Sequence, residues 1–261
     1  MRVVRIATSV VSLVVLLAAL PAAAEDLTIV FKATSGKQNS TSTQYLTAAR
    51  MRTSDAEQDS IVDFAAGRII QIDHRKKQYS EITMDELEAA MKSAAAEMEK
   101  AQAQMAEAMK DMPPAMREKM GGMMGGAAGA VSVTKGGTRK IAGYDCQQYT
   151  VVMGSAVNME MWNTTALTLP MKPGEFARMG RYAQSFANNP MFQGMSKLGE
   201  EMKKIEGFTL ADRTRTSIMG KTMESSREAV EIKAGAVPDS AFQIPAGYKK
   251  VDSPMKSMGK R

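Results

Sequence analysis

Histidine, cysteine and tryptophan each occur only once in this 261-residue sequence. A hydrolytic triad needs a histidine or an equivalent base, but His74 has neither a G-x-S-x-G serine nor a placed carboxylate beside it in the sequence. His74 lies in the charged segment 73–77, so we expect an exposed turn residue rather than a metal ligand or catalyst. Cys146 has no partner for an intrachain disulfide, and we expect it to be a small buried residue in a strand.

Nucleotide-binding signatures are missing as well. The glycine-rich segment 121–129 lacks the Lys-Ser/Thr pair that would cradle phosphates, and segment 135–138 has the wrong spacing. Acidic pairs such as Asp85-Glu86 fall on predicted helices, where a solvated face is the ordinary explanation. The sequence therefore argues against an enzyme and implies no cofactor.

The first 24 residues are typical of a secretory signal peptide. Arg2 and Arg5 precede a short apolar run over residues 10–20, and small residues up to Ala24 form a cleavage site. No later segment is long and apolar enough to span a membrane. We therefore expect a periplasmic protein that is cleaved near Ala24 and forms a single domain over residues 25–248.

The charge of the mature chain argues against a nucleic-acid partner. Removal of residues 1–24 takes away two arginines and no acid, so 34 basic and 28 acidic residues become 32 and 28, a net charge of +4. The basic residues are scattered among acids instead of clustering with stacking aromatics. Only residues 249–261 are locally basic, and we expect them to form a flexible, solvated tail.

Strand patterns dominate both ends of the mature chain. Alternating apolar residues predict a meander of five strands near the start. A hairpin is predicted around Gly154-Ser155, with large residues on both faces, so we expect a sheet that is covered on two sides. A second hairpin follows Gly207. The predicted strands are 27–32, 43–53, 61–64, 68–73, 78–82, 144–153, 157–162, 208–219 and 223–232.

Between these strands, residues 83–129 are predicted to form a long, methionine-rich helical insertion. Thr83 and Glu86 form a capping box, and Pro113-Pro114 ends the helix. Methionine recurs at a strict seven-residue spacing, with Leu87 or alanine three residues after each of the first four, which predicts an adaptable apolar stripe. The stripe could cover the protein's own core or contact acyl chains or a client protein; it comprises Met84, Met91, Met98, Met105 and Met112.

Methionine also offers a metal-binding interpretation of the same region. Thioether sulfurs are soft ligands that suit Cu(I) in an oxidising compartment. The Pro113-Pro114 pair interrupts the helix that would align them, and neither histidine nor cysteine joins the set. A Cu(I)-binding protein is therefore an alternative; its candidate ligands are Met105, Met109, Met112, Met116, Met120 and Met123.

Two short motifs stand out in the sequence: segment 140–149, KIAGYDCQQY, followed by a tryptophan at the end of the next strand, and segment 242–248, FQIPAGY. These motifs resemble an uncharacterised family of envelope proteins whose members look like relatives of the LolA and LolB lipoprotein carriers. The resemblance implies an α+β fold with a strongly curved antiparallel half-barrel, whose concave apolar face is lidded by helices and accepts acyl chains. It implies no catalytic residue, and the long methionine-rich insertion is a departure from the carriers.

From this resemblance and the apolar stripe we predict a monomeric, non-enzymatic binding protein for a lipid or a lipoprotein acyl chain. A structural or protein-interaction module of the envelope, with an envelope protein as partner, is the other alternative. The residues predicted to line the apolar site are Met84, Leu87, Met91, Met98, Met105, Trp162, Phe176 and Tyr182.

Overall fold

A computed structural model describes residues 25–110, 131–154, 156–171, 199–218 and 221–257. Within these residues twelve strands form one open sheet in the order β12-β6-β5-β4-β3-β2-β1-β11-β10-β9-β8-β7. The strands are β1 Leu27–Ser35, β2 Gln38–Leu46, β3 Arg50–Ser54, β4 Gln58–Asp63, β5 Arg68–Asp73, β6 Gln78–Thr83, β7 Val131–Ile141, β8 Tyr144–Met153, β9 Val157–Thr164, β10 Phe208–Ile218, β11 Lys221–Ala234 and β12 Lys249–Val251.

Helices are few among the described residues. Helix α1 spans Met84–Lys110, a 3-10 helix spans Asp239–Phe242, and the short helix α2 spans Pro254–Ser257. All neighbouring strands are antiparallel except β12 and β6, which are parallel. None of the described helices combines the length and the hydropathy that a membrane-crossing segment requires. The predicted α+β class with a curved antiparallel sheet is confirmed, and the sheet is large and open; the position of helices over a concave face stays a prediction.

A salt bridge between β11 and β7 shows that the part of the sheet between these two strands is strongly curved. Arg139 of β7 and Glu228 of β11 lie 2.8 Å apart, although β8, β9 and β10 separate their strands in the sheet. Four interstrand steps of about 4.8 Å would put the two strands roughly 19 Å apart in a flat sheet. The sheet must therefore bend for these side chains to meet. The Arg139 guanidinium also lies 4.3 Å from the centre of the Trp162 ring, on the inside of this bend.

The hairpin of β8 and β9 carries apolar residues on both faces. Cys146 belongs to the core cluster that includes Phe31 of β1, and Trp162 packs against this cluster. Tyr149 and Val151 point to the opposite face, because side chains alternate along a strand, and they form a separate cluster. The expectation that this hairpin is covered on two sides is confirmed, and so is the expectation that Cys146 is buried.

The first meander has six strands rather than the five predicted, because segment 43–53 is folded back on itself. The backbone N–H of Thr47 donates to the Arg50 carbonyl at 2.9 Å. The Thr47 hydroxyl accepts hydrogen bonds from the backbone N–H groups of Ala49 and Arg50 at 3.3 and 3.0 Å. These hydrogen bonds of Thr47 stabilise a tight turn, in which β2 ends and β3 begins.

Helix α1 begins as its sequence predicts. The backbone N–H of Thr83 donates to Oε2 of Glu86 at 2.9 Å, and the N–H of Glu86 donates to the Thr83 hydroxyl at 3.1 Å. These reciprocal bonds form the predicted capping box. The helix is described for 27 residues, about 40 Å at 1.5 Å per residue. The proline pair and the glycine-rich connector fall at 111–130, outside the described residues.

The C-terminal residues differ from the flexible tail predicted for 249–261. Lys249–Val251 form β12, which pairs with β6 at the edge of the sheet, and Pro254–Ser257 form α2. Ser253, between the two elements, is buried. The ordered domain therefore extends past residue 248, because β6 offers a free edge whose backbone groups the tail can pair with.

Candidate functional site

A cavity of about 480 Å³ lies between the sheet and two helices, and it is the candidate ligand site. Strands β5 and β6 form its floor. The first turn of α1 and the segment from Val251 to Met255 form its walls. Sites that bind small molecules in proteins have volumes of about 300–1,000 Å³, so the cavity is large enough to hold a small-molecule ligand.

The floor of the cavity changes from polar to apolar along the strands. Residues that pair directly across neighbouring strands share a face of the sheet, and three such rows cross β4, β5 and β6. The rows are Gln58, Asp73 and Gln78; then Gln71 and Ser80, beside Ser60; then Ile69 and Ile82, beside Val62; Ser60 and Val62 themselves do not line the cavity. The cavity therefore has one end rich in amides and hydroxyls and one end that is aliphatic.

The walls of the cavity add aliphatic surface both inside it and at its opening. Leu87 of α1 is buried and lines the cavity together with Ile82, at the aliphatic end. Val251 of β12 pairs with Ser80, and Met255 of α2 follows. Both Val251 and Met255 are exposed large apolar residues. They place aliphatic surface at the opening of the cavity.

The charged groups in the cavity lining largely neutralise one another. Lys76 Nζ lies 3.0 Å from Oδ2 of Asp73, and the backbone N–H of Lys76 donates to Oδ1 at 2.9 Å. These two hydrogen bonds, the backbone one first, hold the pKa of the Asp73 carboxyl below its ordinary value. Asp252 adds a further carboxylate to the lining.

The only histidine lies in a buried polar cluster on the other face of the sheet. His74 Nε2 is 2.9 Å from Oδ2 of Asp59, whose side chain is fully buried, and Nδ1 is 2.9 Å from the hydroxyl of Tyr248. The same Asp59 oxygen also accepts a hydrogen bond from Arg52. His74 lies in the predicted turn, but the predictions that it is exposed and has no carboxylate beside it are wrong. Its partners come from β4 and from the C-terminal motif, far away in the sequence.

This polar cluster attaches the C-terminal motif to the sheet. Arg52 donates to the carbonyl of Ala241, and Arg50 forms a salt bridge with Asp239. The Arg50 guanidinium also lies 4.5 Å from the centre of the Phe242 ring. Phe242 is buried against the aliphatic side chains of Ile61, Ile70 and Ile72. The segment FQIPAGY is thus a docking element that fixes the end of the chain to β3, β4 and β5.

Past Tyr248 the chain turns around the sheet edge and reaches the cavity. The backbone N–H of Lys249 donates to the Lys77 carbonyl at 3.0 Å, which begins the pairing of β12 with β6. Residues 238–248 pack on one face, β12 lies at the edge, and residues 252–255 line the cavity on the other face. We name residues 238–255 the C-terminal clamp. Its attachment through His74 therefore positions one wall of the cavity.

Among the described side chains of the predicted apolar stripe, one lines the cavity. Met84 is the half-buried first residue of α1, and Leu87 lines the cavity. Ala94 and Ala101, which continue the stripe, are exposed. Trp162 lies under Arg139, in β9, three strands beyond β1 in the sheet. Two groups of predicted positions remain. The side chains of four methionines of α1 lie outside the described residues: Met91, Met98, Met105 and Met109. Six positions lie outside them altogether: Met112, Met116, Met120, Met123, Phe176 and Tyr182.

Several residues of the site had no signal in the sequence. Ser80 and Ser253 are ordinary polar residues there, and only the register of β6 with β12 brings them together. Asp59 is one acidic residue among many until the fold buries it against His74. The motif that contains Tyr248 was visible, although its role in docking was not.

The chain belongs to the family described as Domain of unknown function (DUF4412), whose model matches residues 105–248. This match confirms the resemblance to an uncharacterised family that the two motifs indicated. Among curated proteins, no sequence is significantly similar to the chain.

Several solved structures are similar to the chain over most of its length. An uncharacterized conserved protein from Thermus thermophilus is 7% identical, with 88% of this chain and 91% of that chain covered and a TM-score of 0.44. A chain in the MucA/MucB complex of Pseudomonas aeruginosa is 10% identical, with 85% of this chain and 56% of that chain covered and a TM-score of 0.40. A DUF1329 family protein from Desulfovibrio piger ATCC 29098 is 7% identical, with coverage of 84% and 90% and a TM-score of 0.28.

Proposed function

We propose that the protein is a non-enzymatic, periplasmic binding protein that holds the acyl chain of a lipid or lipoprotein. The observation that carries this proposal is the cavity of about 480 Å³, whose inner end is formed by Ile69, Ile82 and Leu87. Burial of aliphatic groups from water contributes about 0.8 kcal/mol per methylene. An acyl chain is the ligand that gains most from such a surface.

The methionine-rich helix contributes to this site through its first turns. Leu87 covers the aliphatic row of the floor, and Met84 precedes it by one turn on the same side of α1. We propose that this end of α1 is the lid predicted for the half-barrel. One chain supplies every wall of the cavity, so a monomer suffices for binding.

The polar cluster around His74 supports a structural role more than a catalytic one. Both ring nitrogens of His74 are hydrogen-bonded within the protein, one with Asp59 and one with Tyr248. A general base needs a nitrogen that can reach a proton of the substrate. The cluster therefore serves to attach the C-terminal clamp.

Titration with a fluorescent acyl-chain probe tests the proposal. Wild-type protein should bind the probe, and Leu87→Gln should weaken binding at least tenfold, because an amide would replace aliphatic surface in the wall. Leu87→Met should keep the affinity, since the two side chains are nearly equal in volume. Ala94→Gln places the same amide on an exposed position of the same helix and is the matched control.

Two outcomes would contradict the proposal. One is that the wild-type protein takes up no probe. The other is that Leu87→Gln binds the probe as well as Ala94→Gln does, while both variants unfold at the same denaturant concentration as the wild type.

A further inference from the structure

We infer that the ligand is a single-chain lipid with an uncharged, hydrogen-bonding head group, of the monoacylglycerol type. The inference rests on the proposed function, because it concerns the polar end of the same cavity. It assigns the head group to the amide- and hydroxyl-bearing rows and the chain to the aliphatic row.

Two buried serines face the polar part of the cavity. Ser80 and Ser253 are 7% and 6% exposed, and both line the cavity. Within the described ranges, neither hydroxyl has a hydrogen-bond partner in the protein. Neither hydroxyl oxygen is among the fully buried side-chain atoms that lack a partner, so both oxygens are accessible from the cavity. A ligand that brings hydroxyl or amide groups would satisfy both serines.

The other polar groups of the lining favour the same chemistry. Gln58, Gln71 and Gln78 add side-chain amides, which both donate and accept hydrogen bonds. The Gln71 amide already donates to Ser60 Oγ at 2.8 Å, which orients it across the floor. These groups suit a head group with several hydroxyls, which also donate and accept.

The charges of the lining disfavour a charged head group. The ammonium of Lys76 is paired with Asp73, so the cation in the described lining is already neutralised. Asp252 adds a negative charge that would repel a carboxylate or a phosphate. An anion placed here would lose hydration without gaining a free counter-charge, and a cation would gain only the solvent-exposed carboxylate of Asp252, a contact that contributes little. A fatty acid is therefore a weaker ligand than its uncharged ester.

The volume of the cavity limits the number of acyl chains that it can hold. Its volume of about 480 Å³ lies in the lower half of the range of about 300–1,000 Å³ for small-molecule sites. The aliphatic end has one row of the floor and one turn of α1 as its walls. This space fits one chain better than two.

Competition against the fluorescent acyl-chain probe tests the inference with three lipids that share one C18 chain: 1-monooleoylglycerol, oleate and oleylamine. Monooleoylglycerol should displace the probe at a concentration at least about fivefold lower than either charged lipid, as expected for one additional hydrogen bond. In the variant Ser80→Ala/Ser253→Ala its affinity should fall about tenfold while that of oleate stays unchanged. Ser132→Ala, an exposed serine of β7, is the control.

The outcomes separate the head-group inference from the proposed function. Equal or tighter binding of oleate by the wild type overturns the inference and leaves the proposed function standing. Undiminished binding of monooleoylglycerol by the double serine variant also overturns the inference and leaves the proposed function standing. If the double variant fails to fold, the same measurement is made on Ser80→Ala and Ser253→Ala separately. Failure of the probe and of all three lipids to bind overturns both.

Discussion

The hydroxyl of Tyr248 and Nδ1 of His74 are 2.9 Å apart, although 174 residues separate them in the chain. Their rings also contact edge to face, with centres 5.8 Å apart. The chain begins β12 one residue after Tyr248, and it lines the cavity from Val251 onward. The His74–Tyr248 contact thus links a buried polar cluster on one face of the sheet to the candidate site on the other.

Removal of the Tyr248 hydroxyl should loosen this link. We expect Tyr248→Phe to lower the free energy of unfolding by about 1 kcal/mol, since a net intramolecular hydrogen bond contributes about that much. Denaturant unfolding measures the change. Tyr144→Phe is the matched control, because the described residues give its hydroxyl no hydrogen-bond partner. Equal stability of the two variants would contradict a role for the hydroxyl.

The buried carboxylate should matter more than the hydroxyl. Asp59→Asn leaves Arg52, whose side chain is only 13% exposed, without its counter-charge. Loss of one partner of a buried pair costs about 3 kcal/mol or more. Chemical unfolding should therefore show a large destabilisation for Asp59→Asn. It should show almost none for Glu57→Gln, which removes an exposed partner of Arg75; similar effects of the two changes would refute this interpretation.

Deletion of residues 249–261 should remove ligand binding and preserve the sheet. The three residues of β12 are exposed and pair only at the edge, so strands β1–β11 lose little support. Trp162 lies far from β12 in the strand order, and as the only tryptophan it reports the integrity of the core by its fluorescence. We expect unchanged tryptophan emission and at least tenfold weaker probe binding. Full binding by the deletion variant would show that the C-terminal clamp is not a wall of the site.

The buried thiol should be unreactive in the folded protein. Desolvation by burial, as the largest effect, raises the pKa of the Cys146 thiol, so less thiolate is present at a given pH. The pKa of this thiol is higher in the folded than in the unfolded state, so the neutral thiol contributes to the free energy of unfolding. This contribution is fully present below the unfolded-state pKa and is lost as the pH rises through the folded-state pKa.

Labelling with a thiol reagent between pH 7 and 9 measures this effect. Cys146 should react far more slowly in the folded chain than in denaturant. A cysteine at exposed position 132, from Ser132→Cys in a Cys146→Ala background, provides the accessible reference. Equally fast labelling of the two thiols would contradict burial.

The sequence predicted well those structural features that depend on residues close together in the chain. The capping box of Thr83 and Glu86 begins α1, and strand β8 has the predicted bounds, because both features depend on neighbouring residues. The two-sided cover of the β8–β9 hairpin followed from large residues at alternating positions. The family motif around Cys146 located this hairpin correctly.

Features that depend on distant parts of the chain could not be predicted in this way. His74 seemed isolated because Asp59 and Tyr248 approach it only after β4 and the C-terminal clamp are in place. Residues 249–251 read as a basic tail, since three residues carry no strand signal until the edge of β6 offers them a partner. The cavity likewise results from the register of β4, β5 and β6, which a single sequence does not specify.

Native mass spectrometry of the chain purified from the cell envelope tests acyl-chain binding most directly. The account predicts a population heavier than the bare chain by the mass of one single-chain lipid. This population should be absent from Leu87→Gln and present in Ala94→Gln. Recovery of the bare chain alone, together with no uptake of the acyl-chain probe, would contradict the proposal that the cavity under α1 binds lipid.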